Sequence, residues 1–291
     1  MSTIAFIGLG NMGSGMAANQ AKAGNRVLAF DLSEDAISRA VDNGCEAAGS
    51  VAEAVGQADI VLSMLPAGQH VRGLYENDVL PHVKQGALLI DCSTIDVDSA
   101  RAVNAMAKEA GFRAADAPVS GGTAAADAGT LAFMVGCEEA DFADIQAALE
   151  PMSKATLHAG ASGAGQAAKI CNNMLLAITM VGTSETFLMA EKLGLDAQKF
   201  FDISSQASGQ SWSMTSYCPV PGPVPASPAN NDYQPGFAGA MMLKDLRLAM
   251  EAARSGGANT PLGEMCAKMF EAFCADGGDI KDFSAIINTL R

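Results

Sequence analysis

The hexapeptide Gly8-Leu9-Gly10-Asn11-Met12-Gly13 constrains this chain most, because it joins an apolar β-type run, Thr3–Ile7, to the start of a helical pattern. The first glycine permits a tight turn and the second lets a backbone approach a pyrophosphate. The third lets helix and strand pack closely. A helix N-terminus facing the phosphates adds favourable electrostatics. Asp31 ends the next β-type run, Arg26–Phe30, where a carboxylate can accept the hydroxyls of an adenosine ribose. That carboxylate would repel a 2′-phosphate, and Leu32 and Ser33 supply no arginine to hold one, so NAD is expected over NADP. Alternatively, Asp31 only caps a helix beginning near Ser33.

Downstream, Ile60–Leu65, Ala87–Asp91 and Arg113–Asp116 read as strands separated mostly by amphipathic stretches, which predicts a parallel sheet covered on both faces. Leu131–Val135 and Ala155–His158 look like further strands. The glycine-rich joint Gly160-Ala161-Ser162-Gly163-Ala164-Gly165 then marks a change of texture. From Gln166 to about Lys192 the pattern is one helix, apolar nearly all round and therefore expected to be buried on several sides. Asp196–Ser205, Met241–Ser255 and Leu262–Asp276 read as further helices. The fold class is thus α/β: a Rossmann-type dinucleotide-binding domain over 1–162, then an all-helical substrate and dimerisation domain over 163–291. Tyr217–Pro235 carries Pro219, Pro221, Pro223, Pro225, Pro228 and Pro235 and cannot be helical. An ordered surface loop or a mobile lid is expected there.

A formal charge of −14 with no Lys/Arg cluster argues against a nucleic-acid partner. The seven cysteines contain no CxxC pair and read as reduced thiols. With no uninterrupted apolar run of bilayer length, and no basic flank or cleavage site after Met1-Ser2-Thr3, a cytoplasmic protein without a membrane partner is expected. His70, His82 and His158 lack metal-ligand spacing, and no Gly-x-Ser-x-Gly elbow points to a hydrolase.

Lys169 stands near the start of the long apolar helix, where a cation runs against the helix dipole, so a buried functional role competes with a solvated charge. Asn173 follows at i+4, on the same face. A lysine can accept a proton when burial or a neighbouring cation draws its pKa down. Ser120-Gly121-Gly122 follows a strand and a proline, and adjacent N–H groups in such a turn can form an anion-binding concavity or simply an ordinary loop. Lys244 and Asp245 lie on an amphipathic helix, where a solvated pair is the plain alternative. Trp212, the single tryptophan, suits a packing anchor as well as a pocket wall.

The stretch Phe6-Ile7-Gly8-Leu9-Gly10-Asn11-Met12-Gly13-Ser14-Gly15-Met16-Ala17-Ala18-Asn19 closely resembles the N-terminal signature of the β-hydroxyacid dehydrogenases. Three later motifs agree at compatible spacing: Asp116-Ala117-Pro118-Val119-Ser120-Gly121-Gly122, Gly163-Ala164-Gly165 through Lys169-Ile170-Cys171-Asn172-Asn173, and Lys244-Asp245-Leu246. Tyr217-Cys218-Pro219-Val220-Pro221-Gly222 and Ala229-Asn230-Asn231-Asp232-Tyr233 are most similar to the 3-hydroxyisobutyrate branch of that family.

The resemblance implies NAD-dependent oxidation of a small anionic 3-hydroxyacid, with the active site in a cleft between the domains. It implies Lys169 as the acid/base assisted by Asn173, and Ser120, Gly121 and Gly122 as the cradle of the substrate carboxylate. Trp212, Tyr217 and Asp245 would line the pocket. Leu65, Pro66, Thr94 and Lys244 would lie against the cofactor, with Gly8, Leu9, Gly10, Asn11, Met12, Gly13 and Asp31 holding its dinucleotide. It also implies a dimer through the helical domain, and a homodimer or homotetramer is expected. A tartronate-semialdehyde reductase or a serine-type oxidoreductase would use the same machinery, and a non-catalytic dinucleotide-binding module or an imine reductase shares the fold.

Overall fold

The first strand, β1 (Thr3–Ile7), is apolar along its length because both faces are covered: Ile4 and Phe6 enter one layer, Ala5 and Ile7 the other. The structure is a computed structural model describing all 291 residues, and the chain divides into two compact units, Met1–Lys169 and Ile170–Arg291. In the first unit β1 is followed by α1 (Gly13–Lys22), β2 (Arg26–Phe30), α2 (Glu34–Asp42), β3 (Glu46–Ala47) and α3 (Val51–Val55). Then come β4 (Ile60–Ser63), α4 (Gly68–Leu74), β5 (Leu88–Asp91), α5 (Val97–Glu109) and β6 (Arg113–Asp116). These strands lie parallel in the order β3-β2-β1-β4-β5-β6. The order reverses between β1 and β4, and the crevice at the carboxyl ends of strands flanking such a switch is where open α/β sheets bind ligands.

The sheet does not stay parallel, as the sequence had suggested. After β7 (Val119–Ser120) and α6 (Gly122–Ala128), β8 (Leu131–Gly136) runs antiparallel to both β6 and β7. α7 (Phe142–Leu149) then leads to β9 (Ser153–Gly160), which pairs parallel with β8 at the edge. Two strands, β3 and β7, went unread because each has only two residues, too few for an alternation to show. β4 stops at Ser63 rather than Leu65, because the chain turns away there toward the glycine loop.

The second unit is helical, apart from an isolated bridge between Ala238 and Asp282. It comprises most of α8 (Ala164–Lys192), then α9 (Ala197–Ser204), α10 (Trp212–Thr215), α11 (Gly239–Ser255) and α12 (Pro261–Phe273). Ala177, Met180 and Val181 of α8 pack with Met242 and Leu246 of α11, Phe270 of α12, and Phe283 and Ile286 of the closing 3₁₀ segment. Removing one such ring, as in Phe270→Ala, would cost about 3–5 kcal/mol in lost burial plus cavity.

α8 is not covered all round. Leu175 and Met189 are each 60% exposed, and Ile178 and Gly182 on the same face are only half-buried. By length and mean hydropathy α8 is also long and apolar enough to cross a bilayer, although polar residues interrupt it. Gln166, Asn173, Thr179, Thr183 and Ser184 break that run, and Ala177, Met180 and Val181 serve the helical core, so the helix reads as a core element. The proline-rich segment is held to itself: Ser227 Oγ donates to the Cys218 carbonyl, and Tyr233 Oη donates to the Pro219 carbonyl at 2.8 Å. Cys218, Val220 and Ala229 are buried beneath it, which favours an ordered loop.

Candidate functional site

In the first unit the glycine loop closes on itself and on the neighbouring strand. A Cβ on Gly8, whose φ is +95°, would stand 2.3 Å from the Met64 carbonyl oxygen, and one on Gly13 would stand 2.0 Å from the Gly8 carbonyl oxygen. Gly10 differs: a Cβ there would meet nothing within 4 Å. Two glycines are thus demanded by packing, whereas Gly10 borders open space, as a backbone approached by a pyrophosphate should. The exposed Gly10 and Asn11 and the half-buried Met12 form the outer rim of this loop, while Leu9 is fully buried.

Asp31 binds this loop to the end of β2. Its Oδ2 accepts from the Leu9 N–H at 2.6 Å and its Oδ1 from the Ser33 N–H at 2.9 Å. Ser33, not Asp31, caps α2, its Oγ accepting from the Ala36 N–H. Each Asp31 oxygen keeps a lone pair for a further donor. The following residues, Leu32-Ser33-Glu34-Asp35, add no cation. The residues present therefore fit a dinucleotide.

The two loops after β4 and β5 are tied to each other by hydrogen bonds. Leu65 N–H donates to Ser93 Oγ at 2.8 Å, and Ser93 Oγ donates to Asp91 Oδ1 at 2.6 Å. Ser63 Oγ reaches the same Asp91 oxygen at 2.7 Å. Asp91 Oδ2 has no partner. Burial pushes the Asp91 carboxyl up to about 6, against the serine hydrogen bonds that draw it down. Leu65 and Thr94 are half-buried and Pro66 is exposed.

The turn at Ser120-Gly121-Gly122 needs its glycines. Their φ values are +137° and +72°, and a Cβ on Gly121 would meet the Ala125 Cβ at 2.6 Å. Asp116, at the head of the same motif, anchors the start of α8. It accepts from Gly163 N–H at 2.6 Å, Gln166 N–H at 2.9 Å and Asn104 Nδ2 at 3.2 Å. Burial outweighs these bonds and raises its carboxyl above the usual range. α8 begins at Ala164, so Lys169 lies in its second turn rather than its first, where the helix dipole opposes a cation less. Lys169 is nevertheless 7% exposed, which rules out a solvated charge.

In the second unit Asn173, 2% exposed, donates through Nδ2 to Asp245 Oδ2 and accepts at Oδ1 from Asn172 Nδ2 at 3.0 Å. Asp245 is buried and Lys244 half-buried, so these two are not the solvated pair that helix periodicity allowed. Trp212 is 52% exposed and fills no core; its ring stacks on Tyr217 with centroids 4.9 Å apart. Tyr217 Oη donates to the buried Asp282 at 2.8 Å, and the same ring also stacks on the buried Phe283 with centroids 5.4 Å apart. His70 and His82 are exposed, and His158 contacts the Cys137 carbonyl and Glu139.

Asp91, Ser93, Gln166 and Asp282 were missed in the sequence. The available signal for Asp91 was a lone carboxylate ending the apolar run Leu88-Leu89-Ile90. Gln166 was the one large polar side chain between the glycine joint and Lys169.

Residues 3–160 match the NAD-binding domain of 6-phosphogluconate dehydrogenase, and residues 163–290 match the NAD-binding domain of NADP-dependent 3-hydroxyisobutyrate dehydrogenase. The chain is 46% identical over 295 residues to 3-hydroxyisobutyrate dehydrogenase of Pseudomonas aeruginosa, covering 100% of this chain and 99% of that one. It is 45% identical over 288 residues to the NAD-dependent L-serine dehydrogenase of the same organism, covering 98% and 97%. Among solved structures, Mycobacterium tuberculosis 3-hydroxyisobutyrate dehydrogenase with L-serine superposes with a TM-score of 0.97 at 51% identity, covering 100% of this chain and 99% of that one.

Proposed function

This chain belongs to the 3-hydroxyisobutyrate dehydrogenase family of β-hydroxyacid dehydrogenases, and from that premise we propose that it oxidises 3-hydroxyisobutyrate to methylmalonate semialdehyde with NAD. Membership makes it an NAD(P)-dependent 3-hydroxyacid dehydrogenase, an oxidoreductase acting on a small hydroxyacid. The observation that carries the mechanism is Lys169, a lysine kept 7% exposed on a continuous helix, with the buried amide of Asn173 one turn on.

In this reading Lys169 Nζ takes the proton of the substrate hydroxyl while Asn173, oriented by Asp245, steadies the reacting group. Positioned proton transfer of this kind contributes about 10²–10⁴ in rate. The nicotinamide, when bound, accepts the hydride. Gly8–Gly13 would hold the pyrophosphate, Asp31 the adenosine ribose, and Leu65, Pro66, Thr94 and Lys244 the rest of the cofactor. N–H groups of the Ser120-Gly121-Gly122 turn would take the substrate carboxylate. Lys169 and Lys244 supply positive charge that a protein of formal charge −14 otherwise lacks for an anionic substrate. Trp212, half in solvent and backed by Tyr217, offers aromatic surface to a methyl group. Asp31, with no cation beside it, supports NAD over NADP.

A second reading, serine as the preferred substrate, is favoured by the 45% identity to the L-serine dehydrogenase and by the L-serine in the M. tuberculosis structure. We also assign the enzyme to the cytoplasm and to a homodimer or larger homo-oligomer. The exposed apolar side chains of α8 support the assembly. The deciding experiment is NADH formation at 340 nm with 3-hydroxyisobutyrate, L-serine, glycerate and 3-hydroxypropionate, run with NAD and with NADP. A lead for 3-hydroxyisobutyrate with NAD supports the proposal. A lead for L-serine moves the substrate and keeps the mechanism, and silence on all four overturns both.

A further inference from the structure

Gln166 holds the backbone on both sides of Thr94. Its Nε2 donates to the Ser93 carbonyl at 2.7 Å, and its Oε1 accepts from the Ile95 N–H at 3.1 Å. A primary amide bonded to the C=O before a residue and the N–H after it fixes that residue much as a strand partner would. Gln166 is itself immobilised: it has 0% exposure, and its backbone N–H donates to Asp116. Ser93 is fixed a second time through its hydroxyl, which accepts from Leu65 N–H and donates to Asp91. The Leu65-Pro66 turn, the Thr94 segment and the first turns of α8 are therefore one hydrogen-bonded body. Lys169 follows Gln166 at i+3, on the adjoining turn of that helix.

We propose that Gln166 is a positioning residue for the dehydrogenase reaction, its side-chain amide setting the backbone at Thr94 in fixed relation to the helix turn that carries Lys169. The proposal rests on the roles given above to Thr94 and Lys169. The residue type follows from the geometry, because the site needs a donor and an acceptor at the end of a two-methylene stem. Ionised glutamate loses the donor, asparagine is one methylene short, and methionine keeps the volume with neither function. Gln166 bonds to none of Gly8–Gly13 or Asp31, the groups assigned to the dinucleotide's pyrophosphate and ribose. Because it also braces Thr94, which is assigned to the cofactor, its loss should weaken cofactor binding slightly and turnover far more. Misplacing reacting groups by about 1 Å costs about 10²-fold in rate.

The test compares Gln166→Met and Lys169→Ala with the wild-type enzyme, using L-serine and 3-hydroxyisobutyrate as substrates. It measures kcat at saturating NAD, the NADH Kd by fluorescence titration, and folding by circular dichroism and thermal melting. For folded Gln166→Met, kcat should fall about 10- to 100-fold while the NADH Kd stays within about threefold. A kcat within about twofold of wild type, or a Kd loss matching the kcat loss, overturns the proposal. Should Gln166→Met not fold, Gln166→Glu, which keeps the shape and the acceptor, decides by the same split. Normal turnover in Lys169→Ala would topple the underlying site assignment and this proposal with it. A crippled Lys169→Ala beside an unaffected Gln166→Met would remove the proposal alone.

Discussion

Fourteen large apolar side chains stand exposed, and they are shared unequally: Met1, Leu32, Val41 and Leu157 belong to the first unit, and the other ten to the shorter second unit. The first unit covers its sheet from within, because crossover helices fall on both faces of the parallel strands. Buried Asp116 and Gln166 also find partners inside the unit, Asp116 accepting three hydrogen bonds and Gln166 making three, while Asp91 keeps one oxygen unpartnered. The helical unit has two apolar clusters, one around Phe270 and one around Phe187, and an apolar stripe left over, running through Cys171, Leu175, Ile178, Gly182 and Met189 at helical spacing. The first unit covers its apolar faces with its own chain, whereas the second leaves an apolar stripe in solvent. Chemistry should then fail when the first unit's buried polar groups are cut, and assembly should fail when the second unit's stripe is charged.

Lys169→Ala should separate the two most sharply. It is expected to lose about 10²–10⁴ in kcat, with NADH binding and molecular mass by light scattering unchanged. A mass that fell together with the rate would break the contrast. The converse is Leu175→Lys combined with Met189→Lys. Burying a Leu or Met side chain is worth about 1.5–3 kcal/mol, so charging both should weaken self-association by two or more orders of magnitude. Light scattering across a dilution series would show this, and an unchanged mass would mean that the stripe meets nothing.

Asp91 tests how self-contained the first unit is. Its carboxyl is raised from 3.8 to about 6, so the folded state holds the proton more tightly than the unfolded chain does. Its contribution to stability is full below about pH 4 and is lost as pH rises through 6. Asp91→Asn cannot ionise, and relative to wild type it should gain on the order of 2 kcal/mol between pH 4 and pH 7. Urea titrations of both proteins at each pH would report the difference, and parallel stability curves would refute it. The smallest effect belongs to Asp31→Ala, which should narrow the NAD-over-NADP preference about tenfold. An unaltered ratio of kcat/KM values would leave Asp31 only its bonds to Leu9 and Ser33.

The glycine loop, the long helix and the helical character of the second half were legible because each has a period or a spacing. Thr3–Ile7, Arg26–Phe30 and Arg113–Asp116 match their strands at both ends, since an apolar run bounded by polar or glycine residues fixes its own limits. The antiparallel turn into β8 could not be read, because β7 is two residues long and direction is a property of pairing, not of one strand's composition. The exposure of Leu175 and Met189 was hidden for a similar reason: hydrophobicity says that a face will be covered, not by which chain. Lys169, Asn173 and Asp245 could be singled out as chemical residue types within motifs. Gln166, Asp91 and Ser93 could not, because their significance lies in hydrogen bonds linking β4, β5 and α8 across long stretches of sequence.

Trp212 has a consequence of another kind. It is the one indole in 291 residues, half in solvent and stacked on Tyr217, whose hydroxyl is fastened to Asp282. Light absorbed at the red edge of the protein spectrum is therefore emitted from a single known address, beside a ring that is itself held still. Any molecule that settles on that aromatic pair will change the dryness of the indole and so the colour of its emission, giving an optical readout that needs no label and no turnover.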